Sequence, residues 1–155
     1  IVEQAGPQVM EHVIGTAAWT WRVPALVKSE QGQAFVEAFI AQHQRYPDST
    51  AASAFAIVQQ WAEAVQRAGS LHSEKVIKAL EDHHYSLLKD EQYWRSFDHQ
   101  NVQSIYAVRV RSRDEIMQDR FKQDYFTIIH RMDGEAAAPS LDDWQEERGD
   151  ELILR

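Results

Sequence analysis

Between Ala51 and Ala68 runs the segment that most restricts what this chain can fold into. It contains Ala51, Ala52, Ala54, Phe55, Ala56, Ile57, Val58, Trp61, Ala62, Ala64, Val65 and Ala68. At helical spacing the polar residues Ser53, Gln60, Glu63 and Arg67 form one narrow stripe. A helix apolar around most of its girth is a central one, packed on several sides. Its ends are marked as well. Asp48, Ser49 or Thr50 can cap its first turn, and Gly69 supplies the left-handed position that terminates it.

Two further helices flank it. Ser29 is an N-cap with Glu30 in the first turn, and Phe35, Val36, Ala38, Phe39 and Ile40 recur at helical spacing. Tyr46-Pro47-Asp48 stops that helix, because proline disfavours α geometry in the residue before it. Ser73 caps the third helix, with Val76, Ile77 and Leu80 turned inward. Three consecutive helices thus span about residues 29 to 83.

The flanks read as strands. Residues His12 to Trp19 form a short buried strand running into a loop, and Pro24 lies in the connection that follows. Tyr85 to Leu88 and Tyr93 to Phe97 are short and extended. Ile105 to Arg111 is the clearest strand, with Tyr106, Val108 and Val110 on one face and Ile105, Ala107, Arg109 and Arg111 on the other. Asp124 to His130 is apolar and reads as helix or strand. Ala136 to Pro139 is a loop. In Asp142 to Glu151 six acids face one Arg, as in a solvated helix or tail. The class is α/β.

Composition excludes several functions. The 155 residues carry no cysteine, which removes disulfides, thiolate metal sites and thiol catalysis. A chain of this size buries roughly 68–70% of its unfolded surface, so a core forms without staples. The net charge of -8 makes nucleic acid and anionic lipid poor partners. Arg109, Arg111 and Arg113 alternate along the strand as a solvated edge. No window of about 18 apolar residues exists, so no membrane insertion is expected. The first residue is Ile and no signal-peptide pattern follows it, which reads as a processed chain or a piece of a longer one.

Seven histidines invite a metal reading, but no two of them form a His-x-x-x-His pair on one helical face. Asp98-His99-Gln100 is not a catalytic pair, because neighbours on an extended chain face opposite sides. It reads as a turn held by side chain to backbone bonds. No glycine-rich phosphate cradle and no nucleophile elbow are present. No catalytic residue, metal or cofactor is expected. Trp19-Thr20-Trp21 is the informative cluster. Two indoles around a hydroxyl suit a ligand cleft, and they equally suit the closing of a core or a domain interface.

The order of segments resembles a known family. A strand enters the aromatic loop Gly15 to Trp21. A helix ends at Tyr46-Pro47-Asp48, and Ala51-Ala52-Ser53-Ala54-Phe55-Ala56 opens an Ala-rich helix closing on Ala68-Gly69-Ser70. Val76-Ile77-Lys78-Ala79-Leu80 follows, and Arg95-Ser96-Phe97-Asp98-His99-Gln100 leads into the strand at Ile105. Over residues 1 to 135 this is similar to the C-terminal portion of type I periplasmic substrate-binding proteins of ABC transporters, in the leucine/isoleucine/valine-binding branch. Members often carry a Gly-containing turn near Lys89 to Gln92, which this sequence lacks.

The resemblance implies an α/β fold, the C-terminal part of a two-lobed one, with three consecutive helices followed by strands. Residues 1–21 would be a second-lobe strand and crossover, 22–100 the helical part of the first lobe, 101–135 second-lobe strand and C-terminal segment, and 136–155 an acidic tail. It also implies a small amino-acid-like ligand bound between the lobes, an ABC permease partner and a periplasmic location. Trp19, Thr20 and Trp21 would line the cleft, and Asp98, His99 and Gln100 would mark a hinge. It further implies that the isolated chain self-associates, swaps segments or stays bound to a missing N-terminal half. The rival readings are the extracellular sensor of a signalling receptor with the same fold, and a small non-catalytic interaction or oligomerisation domain.

Overall fold

The computed structural model describes residues 2–148. Two short helices open the chain, α1 (Val2–Ala5) and α2 (Pro7–Met10), separated by Gly6 at φ +90°. Strand β1 (Ile14–Ala17) follows, then α3 (Val23–Leu26). The three expected helices come next: α4 (Glu30–His43), α5 (Ser49–Ala68) and α6 (Ser73–Leu80). Three short strands succeed them, β2 (His84–Tyr85), β3 (Gln92–Trp94) and β4 (Asn101–Val102). The chain then forms β5 (Ile105–Val110), α7 (Arg113–Gln118) and β6 (Phe126–Met132). It ends with α8 (Gly134–Ala137) and α9 (Leu141–Arg148).

Capping residues set the helix ends. Ser29 Oγ accepts from Gly32 N at 3.0 Å and donates to the Leu87 carbonyl, so one hydroxyl starts α4 and ties it to the β2–β3 loop. Helix α4 stops at Gln44, which takes a left-handed conformation two residues before Tyr46. Asp48 caps α5 through Ala51 N at 2.8 Å, and Gly69 closes it at φ +57°. The N-cap of α6 is His72; Ser73 is its first helical residue, a correction of one position.

There are two antiparallel sheets, ordered β1-β5-β6 and β2-β3-β4. In the larger, Gly15 pairs with Val108, and Val108 with Ile128. A bulge between Ala107 and Val108 shifts the register. The inward face of β5 is as expected, with Tyr106, Val108 and Val110 all buried. The core gathers Tyr106 and Val108 from the larger sheet, Val23, Val36 and Ala52 from the helices, and Trp19 and Leu88 from loops. The chain leaves the larger sheet through residues 18–22, here the first crossing, reaches the smaller sheet at β2 after the helices, and returns through Gln103-Ser104, the second crossing.

Four expectations change here. Strand β1 is an exposed edge strand, not a buried one, and Ile14 is open to solvent. Of the three alternating arginines only Arg109 lies in a strand, the central β5 and not a sheet edge; Arg113 opens α7, and Arg111 between them forms an ion pair with buried Asp124. Residues 134–137 form a helical turn where a loop was expected. In α9 Trp144 is buried, its ring edge-on to Phe97 at 5.6 Å, so this helix is not wholly solvated. The expected acidic tail continues past residue 148, outside the described residues.

Helix α5 is covered on one side, not on the several expected. Ala52, Gln60 and Ala64 are its buried residues, spaced on one row, while Ile57, Val58 and Trp61 are exposed. Of the polar stripe, Gln60 is buried and donates to Glu63 Oε2 at 3.0 Å, while Ser53 and Arg67 are exposed. Helices α3 and α4 pack more tightly. A β-carbon on Gly32 would lie 2.7 Å from the Leu88 carbonyl oxygen and 2.8 Å from Pro24 Cβ. Gly32→Ala is therefore expected to lower stability by about 1–3 kcal/mol, read from the urea midpoint.

Candidate functional site

The first crossing, the α4–α5 turn and the segment before β6 enclose a cleft of about 290 Å³. Trp19, Thr20 and Trp21 all border it, with Arg45, Tyr46 and Asp48 on one wall and Tyr125 and Phe126 on another. The aromatic loop is thus brought to a cleft, and its three members differ in what they have left to offer.

Trp19 belongs to the core. It is 4% exposed, stands edge-on to Phe35 at 6.1 Å and donates its indole N–H to the Leu88 carbonyl at 3.2 Å. Its polar atom is committed, so only ring surface borders the cleft. Trp21 is half-buried and lies flat on Tyr46, with centroids 4.0 Å apart and planes 2° apart. The Arg22 guanidinium also lies over the Trp21 ring, 4.8 Å from its centroid. Such stacking holds a large apolar wall in one orientation. Thr20 is 8% exposed, and its Oγ1 has no hydrogen-bond partner among the described residues. A buried hydroxyl without a partner costs about 1–3 kcal/mol, and a ligand atom in the cleft would recover that.

Tyr46 is the residue that sequence reasoning assigned only to a helix stop. Its hydroxyl donates to Asp119 Oδ1 at 2.7 Å, and Phe121 meets its ring edge-on at 5.1 Å. Burial and the Asp119 bond push its pKa up to about 12, so the hydroxyl stays protonated. The available signal was its place in a Pro-containing turn between two helices. The residues 119–124 that it meets lie over seventy positions away in sequence. Arg22 and Arg111 both pair with Asp124 behind this wall, Arg22 Nε donating to Oδ1 at 2.8 Å.

Asp98, His99 and Gln100 form the turn between β3 and β4, inside the smaller sheet and three residues before the second crossing. Asp98 Oδ1 accepts from Gln100 N at 3.0 Å, and His99 takes φ +57°. Arg95 Nε donates to Asp98 at 3.0 Å and Arg95 Nη1 to the Pro139 carbonyl at 2.7 Å. Burial raises the Asp98 carboxyl, and the bonds from Arg95 and Gln100 more than offset it, so the net shift is downward. His99 reaches Glu81 Oε1 at 3.2 Å. The turn is held by side chain to backbone bonds as read from sequence.

Among the described residues no group of three His, Asp or Glu could hold a metal ion. Among these residues no helix is long and apolar enough to cross a membrane.

Residues 1–115 match the family described as periplasmic binding protein. No curated protein matches the sequence. Among solved structures, a periplasmic binding protein from Burkholderia mallei superposes with a TM-score of 0.77 at 22% identity, over 92% of this chain and 36% of its own. A branched chain amino acid ABC transporter periplasmic ligand-binding protein from Burkholderia xenovorans gives 0.76 at 22% identity, over 91% and 36%. A leucine-, isoleucine-, valine-, threonine- and alanine-binding protein from Brucella ovis, in its closed conformation, gives 0.70 at 20%, over 90% and 35%. The chain spans about a third of the length of these structures. At these identities the likeness is one of fold, that of part of a type I periplasmic binding protein.

Proposed function

The chain belongs to the periplasmic binding protein family, and from that premise we propose that it is the C-terminal portion of the solute-binding component of an ABC importer. The ligand is small and amino-acid-like, and the chain binds it without chemical change. An ABC permease is the partner that receives it, and the location is periplasmic. The observation that carries this reading is the cleft at the first crossing. A stacked aromatic wall stands there beside a buried hydroxyl with no partner. Apolar walls with a few unsatisfied polar groups are what small-molecule sites are made of.

In this reading Trp21 and Thr20 contact the ligand, and Trp19 supplies ring surface from the core behind them. The two sheets belong to different lobes, and the crossings at 18–22 and 103–104 are the segments about which the lobes turn. Asp98, His99 and Gln100 brace the strand that leads into the second crossing. The exposed apolar face of α5 supports the view that further elements of the first lobe cover it in the whole-length protein.

The test is a fluorescence titration of the whole-length protein carrying this chain against a panel of amino acids and their amides. Trp21→Ala and Thr20→Val are each expected to weaken the binding found by about tenfold, one by removing the wall and one by removing the hydroxyl. Saturable binding that neither substitution changes would remove these residues from the site. Silence across the panel would sink the amino-acid reading.

A further inference from the structure

A lysine is buried where the chain passes between its two sheets. Lys89, in the β2–β3 loop, is 3% exposed. Its Nζ donates to the Ala18 carbonyl at 2.7 Å, the Ser104 carbonyl at 2.5 Å and Gln103 Oε1 at 3.3 Å. Ala18 lies on the first crossing, Gln103 and Ser104 on the second. One ammonium therefore directs its three protons at acceptors on both crossings. Asp90 repeats the pattern toward the larger sheet. Its carboxylate accepts from Ser104 Oγ at 2.5 Å, from the Tyr106 hydroxyl at 3.0 Å and from Arg131 Nε at 3.0 Å. A dipeptide of the smaller sheet thus grips both crossings, β5 and β6.

We propose that Lys89 is a proton-coupled latch: it ties the two crossings together in this arrangement, and parting them hydrates its ammonium, so that proton uptake favours the parted form. The inference rests on the two-lobed reading only in taking the crossings as the segments about which the lobes turn.

The physical basis is a conflict at one atom. The three acceptors suit an ammonium, but the side chain is almost wholly buried, and burying a charge is costly even when it is hydrogen-bonded. Burial dominates and brings the lysine down from its ordinary 10.5 to about 8; Asp90 opposes the fall and Arg131 on β6 adds to it. From β5, the Tyr106 ring centroid lies 4.9 Å from Nζ, and its hydroxyl, pushed up by burial and by Asp90, stays protonated. Tyr85 on β2 borders the same space and is likewise held protonated by burial. From α5 only uncharged residues line it, among them Ala52 and Ile57.

Linkage then sets the sign. The latched form releases its proton near pH 8, whereas a hydrated lysine keeps it to about 10.5. Between those values the parted form binds more protons, so raising the pH tightens the latch and lowering it toward 8 loosens it.

Amide hydrogen exchange of this chain without ligand, corrected for the intrinsic rate, reads the parting directly. From about pH 7 to about pH 9.5, protection of peptides covering residues 14–22 and 101–106 is expected to rise on the order of tenfold. In Lys89→Arg, whose charge does not titrate in this range, and in Lys89→Met, which has none, protection is expected to stay flat. A flat wild-type profile overturns the latch without recourse to either variant. So does the same rise in Lys89→Arg. A rise shared equally by peptides throughout α4 and α5 would also overturn it, because that pattern is global unfolding around a buried lysine. The ligand titration fails or succeeds separately, since no ligand enters this measurement.

Discussion

Glutamate at both Val58 and Trp61 is expected to convert a self-associating chain into a monomer. Val58 is 61% exposed and Trp61 51%, and Phe55 and Ile57 beside them are also open to solvent. The exposed apolar side lies opposite the small residues of the buried row, Ala52 and Ala64. Exposed apolar side chains gathered on one side of a 20-residue helix mark an interaction site, and self-association is the use expected of it in this chain. Burying it against a second copy gains about 25 cal/mol for each Å² of apolar area. Two carboxylates in its centre remove that gain and repel their counterparts across the interface.

The measurement is sedimentation velocity at tens of micromolar, with circular dichroism to show that helix content is kept. Wild type is expected as a dimer or larger species, and Val58→Glu/Trp61→Glu as a monomer. A monomeric wild type would overturn the prediction, and would leave α5 as a tolerated exposed face. The same substitutions in the whole-length protein are expected to lower its stability, because there the face meets first-lobe elements in the proposed reading.

What could be read from sequence divides along physical lines. Local signals were legible. Ser29, Asp48 and Gly69 mark helix ends because caps act within a few residues of the groups they satisfy. The alternation of Tyr106, Val108 and Val110 gave the inward face of β5 because strand period is a property of the strand itself. The fold class followed from these and from the order of segments.

Long-range pairings were not legible. Arg111 alternates like a surface residue until Asp124 arrives from thirteen positions away to pair with it. Tyr46 has no visible role until Asp119 and Phe121 meet it. Which side of α5 faces inward depends on what surrounds it, and in a helix apolar all round periodicity does not decide that. The site shows the same division. The cluster Trp19-Thr20-Trp21 could be singled out, but Trp19 falls to the core only because the Leu88 carbonyl takes its N–H.

The second large effect is expected at Asp124. Its side chain is 3% exposed and lies between two guanidiniums, Arg22 before α3 and Arg111 after β5. One carboxylate thus joins the end of the first crossing to the larger sheet, directly behind the wall formed by Trp21 and Tyr46. Asp124→Asn keeps the shape and removes the charge. Arg111 is then left mostly buried, with only Glu115 at 3.6 Å to oppose it. Breaking a buried pair by neutralising one partner costs about 3–5 kcal/mol, and the partial exposure of Arg22 places the expected loss near the lower end, about 3 kcal/mol. Arg22→Ala, at the exposed member, is expected to cost about 1 kcal/mol or less, because the solvated arm of the triad is screened. The double substitution Arg111→Met/Asp124→Leu is expected to recover much of the loss, since it removes both buried charges together. Urea unfolding followed by tryptophan fluorescence gives all four stabilities. If Asp124→Asn cost no more than Arg22→Ala, the carboxylate would not be the buried anchor of the crossing, and the orientation of Trp21 would have to rest on its stack with Tyr46 alone.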